Sequence, residues 1–508
     1  MLFNSYTFIF AFLPFSLGIF HGLRRAGLER WSILSLTLLS LVFYGWWNVV
    51  YLLLLVPLLF ANFAIAVGIV PRDGHRPPAA KPLLIAGLIL NLAVLGYFKY
   101  ANFFVDNLNS IFRLNLFLGR VVLPLGISFF IFQKIAFLVD AYRGKLGRLD
   151  LLDYSLFVTF FPQLIAGPIV HHSEVLPQFR RHGGVSGRML TMGLTIFAMG
   201  LAKKVLLADT AAAFATPQFS SAAAGTRLDL LAAWSGALAY TAQLYFDFSG
   251  YSDMAIGAAL MFGIRLPVNF ASPYKATNII EFWRRWHITL SRFLQDYLYI
   301  PLGGNRLGGM RRYVNLFTTM LLGGLWHGAG WTFVIWGGLH GFYLAVNHGW
   351  RALRTTLGWP PSKSNRFGAF LGGTITFLAV VVGWVFFRAA QFGSAINMLK
   401  GMAGFNGVAI PLWLTSLLPS ARAAQGTVDS GIGMLLALCL LLLAWLAPNT
   451  QELTGYVGPD GAYGRMEMTN RTQLHWRQTL RWGVVVGCLL ALCFMSLSHV
   501  SEFLYFQF

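Results

Sequence analysis

The sequence predicts an all-α, polytopic integral membrane protein with about twelve transmembrane helices and one re-entrant segment. Three observations carry that expectation. Of the 508 residues, 56% are hydrophobic and only 11% are charged, and the mean hydropathy is +0.62. Apolar runs near the ~20-residue spanning length recur from Leu2 to the C-terminus, as membrane helices require. These runs are long and continuous, whereas an outer-membrane barrel would show short alternating segments. No hydrophilic stretch is long enough for an independent soluble domain, and no fixed-period repeat or low-complexity tract stands out. Residues 1–508 therefore read as a single membrane-embedded domain, with its densest motifs between about 240 and 341.

The formal net charge is +20. In a soluble protein that excess would point to nucleic acid. Here most Lys and Arg cluster in short loops, which is the positive-inside bias, and nucleic acid is not expected as a partner. Such clusters also attract anionic membrane lipids by about 1 kcal/mol per charge near the surface. Cys439, Cys488 and Cys493 all fall in apolar C-terminal segments. They read as small packing residues, not as a disulfide framework or a metal site.

The N-terminal apolar run lacks a basic region before it and a small-residue cleavage site after it, so it reads as a first membrane helix. The basic loop from His21 through Arg24, Arg25 and Arg30 follows, which places the N-terminus outside and this loop in the cytoplasm. Helices are expected near 31–47, 49–70, 82–100 and 121–141, with Arg72, Arg76 and Lys81 in a second cytoplasmic loop. Residues 151–170 break the rhythm. Arg143, Lys145 and Arg148 precede them and Arg180, Arg181 and Arg188 follow, so the segment enters and leaves by one face. Its Phe161-Pro162-Gln163 and Gly167-Pro168 breaks suit a re-entrant loop, tolerated where protein or water satisfies the backbone. Further spans fall near 188–208, 230–248, 313–327, 331–349, 369–387, 432–447 and 482–500, leaving both termini outside. Lys275, Arg284, Arg285, Arg292, Arg306, Arg311 and Arg312 mark a long cytoplasmic-side region.

Chemistry is sought where polar groups sit in apolar surroundings. His327 lies in Gly323-Gly324-Leu325-Trp326-His327-Gly328, within a stretch from Tyr313 to Trp350 that has no Asp, Glu, Lys or Arg. A titratable ring in hydrocarbon usually faces a cavity, a partner or a substrate path. Alone it would fit a structural histidine equally well. A second histidine, His287, lies in the similar Trp-flanked setting Phe282-Trp283-Arg284-Arg285-Trp286-His287, and the pair favours chemistry. Phe282, Trp286, Thr289 and Leu290 fall at helical spacing, which fits one amphipathic helix at the interface.

Asp247 and Asp253 are anchors of helix ends or contributors to a polar cavity. Ser249-Gly250 and Ser252-Asp253 look like cap and turn chemistry at a helix break, which favours anchoring. His340 and His348 read as packing or interfacial residues, and His171 and His172 as solvated. A zinc site would need three or four suitably spaced ligands, and His327 with His340 offers no such cluster. The Gly303-Gly304-Asn305-Arg306 loop lacks the Lys-Ser/Thr ending of a phosphate-binding loop, and no Gly-x-Ser-x-Gly elbow is present.

Several stretches together resemble one family: Phe43-Tyr44-Gly45-Trp46-Trp47, Leu95 to Phe103, Leu123-Pro124-Leu125-Gly126-Ile127-Ser128-Phe129, Phe161 to Pro168, Tyr245 to Asp253, Phe282 to His287, and Gly323 to Gly328. The chain resembles the membrane-bound O-acyltransferases over most of its length. More narrowly it is similar to the bacterial branch that includes the membrane subunit of alginate O-acetylation. The resemblance implies a fold with a central tunnel, a place in the bacterial inner membrane, and no bound cofactor. It implies that a cytoplasmic acyl thioester, most naturally acetyl-CoA, donates an acyl group towards a polysaccharide acceptor, with periplasmic acetyl-transfer proteins as partners.

His327 matches the family's catalytic histidine and His287 its second polar position. His327 is expected to act as general base, since a positioned base that takes a hydroxyl proton typically contributes 10²–10⁴-fold, and desolvation keeps an imidazole neutral for that task. His287 is expected to orient groups or stabilise charge. Trp326, Trp286, Tyr251 and Asp253 are expected to line the substrate. Rival readings are another acceptor (cellulose, a teichoic acid carrier, a lipid or sterol, a protein) or a transporter, although the matched halves common in transporters are not found here.

Overall fold

The computed structural model describes residues 1–71, 75–119, 121–180, 185–359, 366–408, 427–459, 461, 474–497 and 501–504. All regular elements among them are helices. In chain order these include α1 (Thr7–Arg25), α2 (Glu29–Gly45), α3 (Val49–Ile69), α4 (Ala80–Phe112), α5 (Ile127–Tyr142), α6 (Leu151–Thr159), α7 (Phe161–Leu164), α8 (His172–Phe179), α9 (Gly187–Ala223) and α10 (Leu230–Met261). They continue with α11 (Ile279–Arg285), α12 (Ile288–Leu294), α13 (Gly309–His327), α14 (Trp331–Thr356), α15 (Arg366–Arg388), α16 (Phe392–Met402), α17 (Thr427–Leu446) and α18 (Leu480–Ser496). By length and composition α1, α3, α4, α9 and α15 are able to cross a membrane, and the chain is a multi-pass membrane protein.

The chain forms two compact units. The first holds Met1–Leu201, Tyr251–Val268 and Thr454–Gln507; the second holds Ala202–Gly250 and Asn269–Leu453. Three helices outrun their expected ends. α4 and α9 continue through π-helical turns at Gly96–Tyr100 and Lys203–Ala208, which widen the helix locally without stopping it. α10 passes unbroken through Ser249, Gly250, Ser252 and Asp253, so the cap-and-turn reading there is wrong. Those side chains are buried in protein and none has displaced the helical backbone. α16 was not foreseen. Arg72, Arg181 and the last residues of the 482–500 span lie outside the described residues.

In the first unit, polar side chains inside apolar helices find each other. Asn91 donates to Asn62 Oδ1 at 2.6 Å, joining α3 to α4, the kind of interhelical bond that serves where water is absent. The segment after Asp150 follows the expected broken course. Asp150 caps α6 by accepting from the Leu152 and Asp153 amides. α6 has nine residues, so at about 1.5 Å per residue it falls well short of a ~30 Å hydrocarbon core. At the break, the Phe161 amide donates to Ser40 Oγ at 3.2 Å and Gln163 donates to the Phe157 carbonyl at 2.6 Å. Irregular backbone is thus satisfied within protein.

In the second unit the tightest packing joins α13 to α14. A Cβ placed on Gly324 would lie 2.2 Å from the Phe333 carbonyl oxygen, and one on Gly337 would lie 2.3 Å from that of Met320. Small residues of this kind let membrane helices meet backbone to backbone. Gly337→Ala is therefore expected to lower the thermal unfolding midpoint of the purified protein by an overpacking cost of about 1–3 kcal/mol or more. Gly18→Ala, where a Cβ meets nothing within 4 Å, serves as the control that leaves the midpoint in place.

Candidate active site

The close approach of α13 and α14 fixes where His327 lies. It is the last residue of α13 and only 4% exposed. Edges and faces of three aromatic rings enclose its imidazole: Trp326 at 4.9 Å, Trp336 at 5.0 Å and Phe387 at 5.1 Å between centroids. Gly328 follows, and a Cβ there would strike the Phe333 ring at 2.2 Å. A side chain there would have to displace that ring.

His287 is fully buried and sits at a break that the continuous-helix reading of residues 282–291 missed. α11 ends at Arg285 and α12 begins at Ile288, and His287 between them has φ +42°. Such a left-handed backbone is costly for a residue with a Cβ, so something must hold it. That residue is Asn269. Its carbonyl accepts from the Ile288 amide at 3.0 Å. Its side-chain oxygen accepts from the Thr289 amide, the Thr289 hydroxyl at 2.9 Å and His287 Nδ1 at 3.0 Å. Because the Thr289 amide can only donate, this atom of Asn269 is the oxygen and not the nitrogen. His287 Nδ1 therefore carries the proton, and in the neutral ring Nε2 presents a lone pair. Burial pushes the His287 pKa down, which favours that neutral form.

Trp326 links the two histidines. Its ring lies 6.2 Å from that of His287 and 4.9 Å from that of His327. Trp286 stands one layer back, stacked on Phe282 at 5.7 Å and against Trp384 at 4.9 Å. The structure thus gathers His287, His327, Trp326 and Trp286 in the second unit. Tyr251 and Asp253 belong to the first, where both are buried and Tyr251 packs on Phe3 and Phe503. His340 is a packing residue, as expected. It is buried, and its Nδ1 accepts from Trp283 Nε1 at 3.3 Å.

Asp247 anchors structure through a partner the sequence reading did not name. Lys204 Nζ lies 2.8 Å from Asp247 and 2.9 Å from Asp209, with the first two side chains almost wholly buried. In the first unit His172 is buried and not solvated as expected, while His171 stays partly exposed; both face Asp140 on α5, with His172 Nδ1 at 3.5 Å. Their ligand-type atoms lie within 4.8 Å of one another, but Lys145 at 3.1 Å and Arg143 at 3.8 Å already neutralise that carboxylate. Cys493 is buried, while Cys439 and Cys488 are exposed and do not pack as expected.

The sequence profile of the membrane-bound O-acyltransferase family matches residues 94–382, which include both histidines. The chain belongs to the membrane-bound O-acyltransferase family, and it is an acyltransferase. It is 47% identical over 439 residues to a peptidoglycan O-acetyltransferase of Helicobacter pylori, covering 81% of each chain. It is 41% identical to a probable alginate O-acetylase AlgI of Pseudomonas putida over the whole length of both. A teichoic acid D-alanyltransferase of Streptococcus thermophilus is 27% identical over 52% of this chain and 68% of that one.

Two residues that hold buried groups in place had a signal that went unread. Asn269 is a lone amide in the apolar run Leu266-Pro267-Val268-Asn269-Phe270, and Lys203-Lys204 is a dibasic pair inside an apolar helix. Lys204→Met is expected to break the buried pair with Asp247 and to destabilise the protein by about 3–5 kcal/mol, the usual cost of removing one member of such a pair. Lys204→Met with Asp247→Leu should recover most of that loss, as read from detergent-solubilised thermal unfolding.

Proposed function

We propose that this acyltransferase moves an acetyl group from a cytoplasmic thioester, most naturally acetyl-CoA, for O-acetylation of an exported polysaccharide such as alginate. Transfer would run through a tunnel in a fold of about twelve crossings in the inner membrane, with periplasmic acetyl-transfer proteins completing delivery. The observation that carries the reading is the pair of buried imidazoles joined by Trp326, with ring separations of 6.2 and 4.9 Å. The full-length similarity to a probable alginate O-acetylase supports the acceptor.

The chemistry follows from the groups present. A hydroxyl attacks poorly at neutral pH, so His327 takes its proton as the oxygen–carbon bond forms and the carbon–sulfur bond breaks. That proton then goes to the departing thiolate. The thioester oxygen gains negative charge and needs a donor. His287 in the neutral tautomer set by Asn269 offers Nε2 as an acceptor, which supports the orienting role over charge stabilisation. Trp336 supports the donor role better: its indole N–H is buried without a hydrogen-bond partner among the described residues, and its ring lies 5.0 Å from His327. Trp286 would back the site, with Tyr251 and Asp253 as the remaining candidates for lining substrate. A second acceptor, peptidoglycan, is favoured by the 47% identity to a peptidoglycan O-acetyltransferase.

Cells lacking their own copy, complemented with wild type or His327→Ala at matched membrane levels, test this reading. Polymer acetyl ester should be restored by wild type and absent with the variant. Full acetylation by the variant would reduce His327 to packing. Acetyl ester on peptidoglycan but not on exported polysaccharide would move the assignment to the second acceptor.

A further inference from the structure

A cavity of about 790 Å³ opens in the second unit, at the C-terminal end of α14 beside the start of α15. Its lining includes Arg351, Arg354, Asn278, Asn347 and the indoles Trp350 and Trp359. Arg351 reaches Asn278 Oδ1 at 3.4 Å, which turns its guanidinium along the cavity wall. Asn347 Oδ1 is buried and has no hydrogen-bond partner among the described residues. The two indoles lie 6.1 Å apart at 66°, and both are half exposed, the placement amphipathic rings take at headgroup level. Leu371 and Ile375 complete the wall, 47% and 58% exposed.

We propose that this cavity binds the headgroup of an anionic phospholipid carrying a free hydroxyl, of the phosphatidylglycerol type. The two guanidiniums match a phosphate, for which arginine is well suited. The vacant Asn347 oxygen is an acceptor, so it calls for a donor on the ligand, and a headgroup hydroxyl supplies one. The exposed Leu371 and Ile375 side chains give an acyl chain an apolar wall, which a soluble phosphate would not use. Positive-inside logic puts Arg351, Arg354 and Arg366 on the cytoplasmic leaflet, where basic pockets between helices meet anionic headgroups. None of these residues serves the histidine site.

The full-length protein in a neutral detergent is titrated with short-chain phosphatidylglycerol, phosphatidic acid, phosphatidylcholine and glycerol 3-phosphate, and the thermal unfolding midpoint is followed. Phosphatidylglycerol should raise the midpoint, with little response to phosphatidylcholine or glycerol 3-phosphate. Arg351→Gln with Arg354→Gln should raise the half-saturating phosphatidylglycerol concentration by about tenfold or more. Asn347→Leu should weaken phosphatidylglycerol but leave phosphatidic acid, which has no headgroup hydroxyl, unchanged. If the double variant does not fold, Arg351→Gln alone and Asn347→Leu carry the test. An equal response to phosphatidylcholine, or unchanged half-saturation in the folded variants, would overturn the proposal. A response to glycerol 3-phosphate as strong as to the lipid would assign the cavity to a soluble phosphate instead.

Discussion

The contact between Gly324 and Gly337 governs the second unit. A Cβ at either position would meet backbone of the facing helix at 2.2–2.3 Å, so α13 and α14 touch main chain to main chain. In hydrocarbon, apolar side chains gain little from facing one another rather than lipid, and close packing does the joining instead. One consequence is positional. His327 ends α13, so the same contact that joins the helices sets its ring against Trp336 of α14 at 5.0 Å. The catalytic candidate is placed by rigid helices and not by a loop, which is the condition for holding a reactive group within the narrow tolerance that chemistry needs.

The second histidine is held by different physics. His287 occupies a left-handed turn between two seven-residue helices, and one amide oxygen, that of Asn269, receives three donors there. This single acceptor satisfies the broken backbone, orients the imidazole and chooses its tautomer. Buried in protein, these groups have no water to do any of this. Buried polar groups elsewhere follow the same rule: Asn62 with Asn91, Lys204 with Asp247, Ser40 with the Phe161 amide. Each closes a polar demand inside protein.

The helical class and most helix positions were legible because hydropathy is a local signal, and the two histidines stand out in the sequence as polar residues in apolar, Trp-flanked settings. The short broken segment from Leu151 to Leu164 was legible for the same reason, since Pro162 and Gly167 mark it. What escaped is non-local or hides in periodicity. The Phe282-to-Ser291 pattern fits a continuous helix, and the break at His287 comes from Asn269, eighteen residues upstream. Ser249 to Asp253 reads as a turn, yet burial of those side chains lets α10 run on to Met261. Lys204 lies inside the expected 188–208 span, and only the fold shows Asp247 across from it.

The most direct test of the two-histidine account is the single-turnover rate at which the purified protein transfers acetyl from a thioester to a hydroxyl acceptor, compared between wild type and His327→Ala at neutral pH. Removal of a general base predicts a loss of about 10²–10⁴-fold with the fold intact by thermal unfolding. A His327→Ala protein that turns over at the wild-type rate would contradict the account.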